Sequence, residues 1–153
     1  MARRSLRSNV SSGTWTRTSS LCASSRSTVM AGNSDAHVRL LFALARLGAI
    51  MVPVNPEYGV DEARYVLNHA GVSAVAVSDA TLAVARAATA DMDPAPWFMR
   101  VLGDDASVPS LDALVKESNA PVPEPAGQAD DTVVIIYTSG TTGFPKGVMH
   151  SQR

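Results

Sequence analysis

Apolar positions fall into alternating helical and strand-like patterns from about residue 30 onward. Between Ala36 and Leu47 they recur at helical spacing. Val38, Leu41, Phe42 and Ala45, joined by Leu40, Leu44 and Leu47, cover most of a helix circumference, as expected of a helix packed on a sheet. Ser34 and Asp35 offer side-chain oxygens to the free amides at its start, and Gly48 stands where a left-handed cap is expected. Ala49-Ile50-Met51-Val52 then reads as a short buried strand, closed by Pro53, with Asn55-Pro56 as turn punctuation. A second helix is predicted from Val60 to Ala70, with Val60, Ala63, Leu67 and Ala70 as its inward stripe and Gly71 at its end. Asp61 and Glu62 in its first turn and His69 in its last suit the helix dipole. A strand over Ala74–Val77, a helix over Ala80–Ala88, a strand over Phe98–Leu102 and a short helix over Ser110–Glu117 continue the alternation. Such βαβα order predicts an α/β fold with a mostly parallel sheet covered by helices. Ala120 to Gln128 is a proline-spaced connector. Thr132 to Tyr137 is a β-branched run typical of a buried strand.

The first 29 residues differ in kind. They hold no acidic residue, five arginines (Arg3, Arg4, Arg7, Arg17, Arg26) and several serine and threonine runs, and their apolar residues show neither helical nor strand period. An organelle transit peptide, a disordered tail and a stretch translated in the wrong frame before Val29-Met30 all fit; the abrupt onset of pattern favours the last. No stable fold is expected from Met1 to Val29.

Composition narrows the function classes. Hydrophobic residues make up 46% and charged residues 18% of the 153, so a buried core is available. Thirteen basic against fourteen acidic side chains give a net charge of -1, which argues against a nucleic-acid binder held by a global positive field. Cys22 alone excludes an internal disulfide framework and a Cys-rich zinc site. The longest apolar stretch, Leu40 to Val54, is interrupted by Arg46 and Pro53, so no membrane span is expected. The expected location is cytoplasmic.

The densest chemistry follows the last strand: Tyr137-Thr138-Ser139-Gly140-Thr141-Thr142-Gly143-Phe144-Pro145-Lys146-Gly147-Val148. Its glycines let the backbone approach a ligand without an intervening Cβ. Successive amides in such a loop can converge on one anion. Four hydroxyls (Thr138, Ser139, Thr141, Thr142) add neutral donors, and Lys146 adds a mobile positive charge. These are the groups that hold a polyphosphate. The order is not that of the Walker loop, because glycine follows Lys146 and the glycine spacing differs. A flexible surface loop would share the composition; the order of the residues sets this segment apart.

That order closely resembles the signature of the AMP-forming adenylating superfamily of acyl-CoA synthetases, luciferases and peptide-synthetase adenylation domains. Met30-Ala31-Gly32-Asn33-Ser34, Ala43 to Ala49 and Val52-Pro53-Val54-Asn55-Pro56 resemble the family in the same order. The resemblance runs from about Met30 to the end and implies part of the N-terminal subdomain of an adenylate-forming enzyme, incomplete as a sheet. It implies that Thr138, Ser139, Gly140, Thr141, Thr142, Gly143 and Lys146 bind the phosphates of ATP with Mg2+. A carboxylic acid would attack the α-phosphate, and coenzyme A would then displace AMP. The family's adenine-, ribose- and hinge-region segments and its C-terminal lysine have no counterpart here. The expectation is therefore an N-terminal fragment, inactive alone, divided into 1–29, an α/β portion at 30–119, a connector at 120–129, and strand plus phosphate loop at 130–153. A stand-alone polyphosphate-binding module and the product of an interrupted gene are the alternatives.

Other candidates carry less. The same resemblance, through a histidine that several acyl-CoA synthetases carry near there, implies a substrate-side role for His150, while His37 and His69 are read as surface or capping histidines. Asp91, Asp93, Asp104 and Asp105 are read as solvated loop carboxylates, and Cys22 is given no role.

Overall fold

The computed structural model describes residues 24–138 and 145–153. At the centre of its sheet is a strand the pattern did not predict, β1 (Arg26–Met30). It pairs in parallel with β2 (Ile50–Pro53) on one side and β3 (Ala74–Ser78) on the other. The expected boundary at residue 29 therefore falls too late. Arg-Ser-Thr looks polar, yet Ser27 and Thr28 are buried, and the fully buried Thr28 hydroxyl donates to the Val52 carbonyl at 2.5 Å. A hydroxyl satisfied by a neighbouring strand is tolerated in a core, which is why polarity misled. Residues 1–23 lie outside the described residues.

The helices follow the predicted order: α1 (Asp35–Arg46), α2 (Val60–Ala70), α3 (Asp79–Ala88) and α4 (Leu111–Glu117). Strands β4 (Trp97–Leu102), β5 (Thr132–Thr138) and β6 (Lys146–Ser151) complete a six-stranded sheet in the order β4-β3-β1-β2-β5-β6. All pairings are parallel except β5 with β6. Strand β6 departs from the sequence pattern, which extends the phosphate loop through this segment.

Period-two alternation sorts the core into two layers. Met30, Val52, Val75 and Val77 pack with Val66 and Leu67 of α2 and Leu82 of α3. Their neighbours Val29, Met51 and Ala76 face the opposite side, against Leu40 and Leu44 of α1. Helix α1 buries only Ala36, Leu40 and Leu44, one stripe at i, i+4 and i+8. Val38 is 56% and Phe42 70% exposed, so the expectation that apolar residues pack around most of this helix is corrected. A helix lying on one sheet can bury only the side that faces it.

In α2 the buried set is Ala63, Val66, Leu67 and Ala70, so Val66 replaces Val60 in the predicted stripe. The Glu62 carboxylate accepts the Gly59 N–H at 2.9 Å at its start. Gly71, at φ 61°, closes its end in the left-handed conformation. The proline-spaced connector lies across the C-terminal end of α1. Arg46 donates to the Pro123 carbonyl through Nε and Nη2, and the Ala126 N–H donates to the Arg46 carbonyl at 2.9 Å. The chain thereby passes over α1 and delivers β5 beside β2.

This layering makes opposite demands on two residues of similar hydrophobicity. Leu67→Ala should cost about 2–5 kcal/mol in urea unfolding, whereas Phe42→Ala should stay within about 0.5 kcal/mol.

Candidate functional site

Strand β5 ends where the sequence signature begins, and β6 returns antiparallel from its far side. The ladder places Thr138 opposite Lys146, Tyr137 opposite Gly147, Ile136 opposite Val148, Ile135 opposite Met149 and Val134 opposite His150. Thr138 and Lys146, two of the predicted phosphate ligands, thus stand across from each other at the top of a hairpin stem. Ser139, Gly140, Thr141, Thr142 and Gly143 lie outside the described residues. Lys146 is exposed, with its ammonium open to a ligand from solvent.

The hairpin top borders a cleft of about 300 Å³ at the carboxyl ends of β1, β2 and β5. Asn33, His37, Asn55, Tyr58, Ile136 and Tyr137 are among the residues that line it. In α/β sheets the carboxyl ends of parallel strands are where ligands bind, because loops and helix starts diverge there and leave main-chain groups uncovered. Asn55, predicted only as a turn residue, accepts the Glu57 N–H at 3.0 Å through Oδ1. That bond shapes the turn after β2 along the cleft wall.

Two titrating groups on the cleft are perturbed. Burial pushes the His37 imidazole below its usual value, and its Nδ1 is buried without a hydrogen-bond partner. Burial also raises the Tyr137 phenol; Tyr65 adds to the rise and Arg26 opposes it. Tyr137 therefore stays a neutral hydroxyl through physiological pH. Its Oη is 2.7 Å from Nδ1 of His69, whose ring stacks on Tyr65 with centroids 5.5 Å apart.

His69 does sit in the last turn of α2, but its contact with Tyr137 was invisible to the sequence reading. The two residues are 68 positions apart. His150 is exposed on β6, four residues past Lys146, or about 13 Å at strand rise. Asp104 and Asp105 are exposed, and their N–H groups donate to the Asp79 carboxylate, which orders the turn after β4. Hydrogen bonds from Ser107 hold the Asp105 carboxyl below the usual carboxylate range. Among the described residues, no group of three or more His, Cys, Asp or Glu side chains is arranged to hold a metal ion. No helix among them is long and apolar enough to cross a membrane.

The sequence profile of the AMP-binding enzyme family matches residues 22–153, and the chain belongs to that family. The match begins ahead of β1, as the sheet requires. Long-chain-fatty-acid–CoA ligase FadD13 of Mycobacterium tuberculosis is 34% identical over 119 residues, which cover 78% of this chain and 23% of that protein. The medium-chain-fatty-acid–CoA ligase of Ectopseudomonas oleovorans is 29% identical over 156 residues, covering 87% and 26%. The chain thus spans about a quarter of the length of these curated relatives. Among solved structures, the inhibitor-bound N-terminal domain of FACL13 from Mycobacterium tuberculosis superposes with a TM-score of 0.71 at 30% identity. That superposition covers 86% of this chain and 32% of the other. A benzoate CoA ligase from Burkholderia xenovorans LB400 shares the fold, with a TM-score of 0.72 at 19% identity over 86% of this chain and 25% of that one. The α/β fold is therefore that of the N-terminal domain of adenylate-forming enzymes.

The His37 shift sets the direction of a pH effect. The folded imidazole resists a proton that the unfolded one accepts near its usual value of 6.5. Stability should be fully present above about pH 6.5 and fall as pH drops through it. Urea midpoints at about pH 7.5 and 5.5 should differ less in His37→Asn than in the parent chain.

Proposed function

We propose that this chain carries the polyphosphate-holding part of an AMP-forming acyl-CoA ligase, which activates a carboxylic acid with ATP and passes it to coenzyme A. One observation supports the reading above the others. A strand of the parallel sheet runs straight into the signature loop, with Thr138 and Lys146 paired across its two ends beside the cleft.

In the reaction, a carboxylate oxygen attacks the α-phosphorus of ATP and pyrophosphate leaves. The thiol of coenzyme A, losing its proton, then attacks the acyl carbon, and AMP departs. The residues of this chain do not bond to the reacting atoms. Amides and hydroxyls at Thr138, Ser139, Gly140, Thr141, Thr142 and Gly143 would surround the β- and γ-phosphates, and Lys146 would place its ammonium against them. Such donors favour the reaction because they meet charge as it grows on the leaving pyrophosphate and hold it in line. Mg2+ would arrive on the nucleotide, which suits a metal that prefers phosphate oxygens and water to an all-protein cage. His150, about 13 Å along β6, is assigned to the carboxylic acid side of the site. A cytoplasmic location agrees with soluble nucleotide and coenzyme A as reactants.

The isolated chain should show no carboxylate-dependent exchange of pyrophosphate into ATP. Exchange above that of a loop variant would overturn the assignment of the remaining chemistry to segments outside it. In a chimera joining this chain to the rest of the Mycobacterium tuberculosis relative, Lys146→Ala should weaken ATP use roughly ten- to a hundredfold. That range is the worth of one charge-assisted hydrogen bond. Preference among carboxylic acids should not change. Full adenylation in Lys146→Ala would refute the phosphate assignment.

A further inference from the structure

Strand β5, which carries Thr138, lies between two ladders. Between β2 and β5 the ladder pairs Met51 with Val134. Thr138 lies four residues, or about 13 Å, beyond that pair. On its other side β5 has only β6, which is exposed along its whole length. At the loop end β5 is laddered to β6 through Tyr137–Gly147 and Thr138–Lys146.

A side-chain contact adds a tie from helix α2. Tyr137, the residue before Thr138, meets Nδ1 of His69 through its hydroxyl at 2.7 Å. The two rings meet edge to face, with centroids 5.7 Å apart at 90°. Tyr65, one turn earlier on α2, stacks on the His69 ring itself at an interplanar angle of 21°. Opposite Tyr137, position 147 is glycine, and a Cβ there would lie 3.2 Å from Tyr137 Cζ and 2.9 Å from Ile135 Cγ2. The ring occupies the space that a side chain on β6 would take.

We propose that His69 is a positioning residue for the phosphate loop: through the Tyr137 hydroxyl it ties the end of β5, and with it Thr138 and Lys146, to helix α2. The proposal rests on the reading of residues 138–146 as a phosphate site. The catalytic groups remain on the loop, and His69 acts only through Tyr137. Gly147 belongs to the same device, because it allows the ring to lie across β6 and reach α2.

The test uses the whole chain, isotopically labelled, with amide exchange followed by NMR. His69→Leu and Tyr137→Phe should each speed exchange at Ile136 and Val148 roughly two- to tenfold, the scale of one net hydrogen bond. Exchange at Val75, in the far half of the sheet, should not change. The double variant should be no worse than either single one, since both remove the same contact. His69→Asn, whose side-chain amide occupies the place of Nδ1, should restore protection. Unchanged exchange at Ile136 and Val148 in His69→Leu would overturn the proposal, as would a rise matched at Val75 or one that Asn fails to repair. Titration with millimolar tripolyphosphate, read at the Thr138 and Lys146 amides, separates the two claims. A response in the parent chain that weakens in His69→Leu and recovers in His69→Asn supports both. A response equal in parent and His69→Leu overturns the positioning role. No response in the parent overturns the phosphate reading, and the exchange data then judge the tie between hairpin and helix alone.

Discussion

Everything in this fold hangs on β1 being buried between two parallel partners. Its ladder with β2 and β3 places both neighbours, and the alternation of Val29 and Met30 assigns α1 to one face and α2 with α3 to the other. A strand in that position must find protein partners for its polar groups, because water cannot reach it, although the Ser27 hydroxyl is buried without one. Thr28 finds its partner by donating to the Val52 carbonyl, so its side chain reinforces the pairing that buries it. From the far end of the strand, the Met30 carbonyl accepts a hydrogen bond from the Thr81 hydroxyl of α3. One short strand thus fixes the sheet and the seating of a helix above it.

The candidate site is a consequence of that arrangement. Because β1, β2 and β5 run in the same direction, their carboxyl ends open on one edge, and the loops after them diverge around the cleft. The hairpin of β5 and β6 joins this edge as an antiparallel appendage. Its strand β5 pairs with β2 on one side and β6 on the other, and α2 adds a side-chain contact at Tyr137. The chemistry expected of the loop needs several donors held at fixed separations, and fixed separation is what a hairpin anchored at Tyr137 supplies.

Apolar residues also remain on the outside. Val38 and Phe42 on α1, and Val148 and Met149 on β6, are exposed in the described structure. The helix periodicity of α1 was legible, but which of its faces is covered depends on how much protein surrounds it. Sequence pattern cannot distinguish a residue that packs within these 153 positions from one that does not.

Local physics determined a good deal by itself. Helical spacing, helix-ending glycines and turn residues marked α1 to α4 and strands β2 to β5 to within a residue or two, since those signals act over a few positions, although Ser34 makes no side-chain cap bond to α1. Residue order in the loop identified the family, because the match rests on particular residues in particular places. Tertiary structure decided the rest. It made Arg26–Met30 the central strand despite their polarity, since the Thr28 hydroxyl finds its partner across the ladder, at Val52, where no local pattern records it. It turned Lys146–Ser151 from loop into strand, because pairing with β5 supplies backbone partners that the segment lacks by itself. And it joined His69 to Tyr137 across 68 residues, since only the stacking of α2 on the sheet brings an imidazole within hydrogen-bond reach of that hydroxyl.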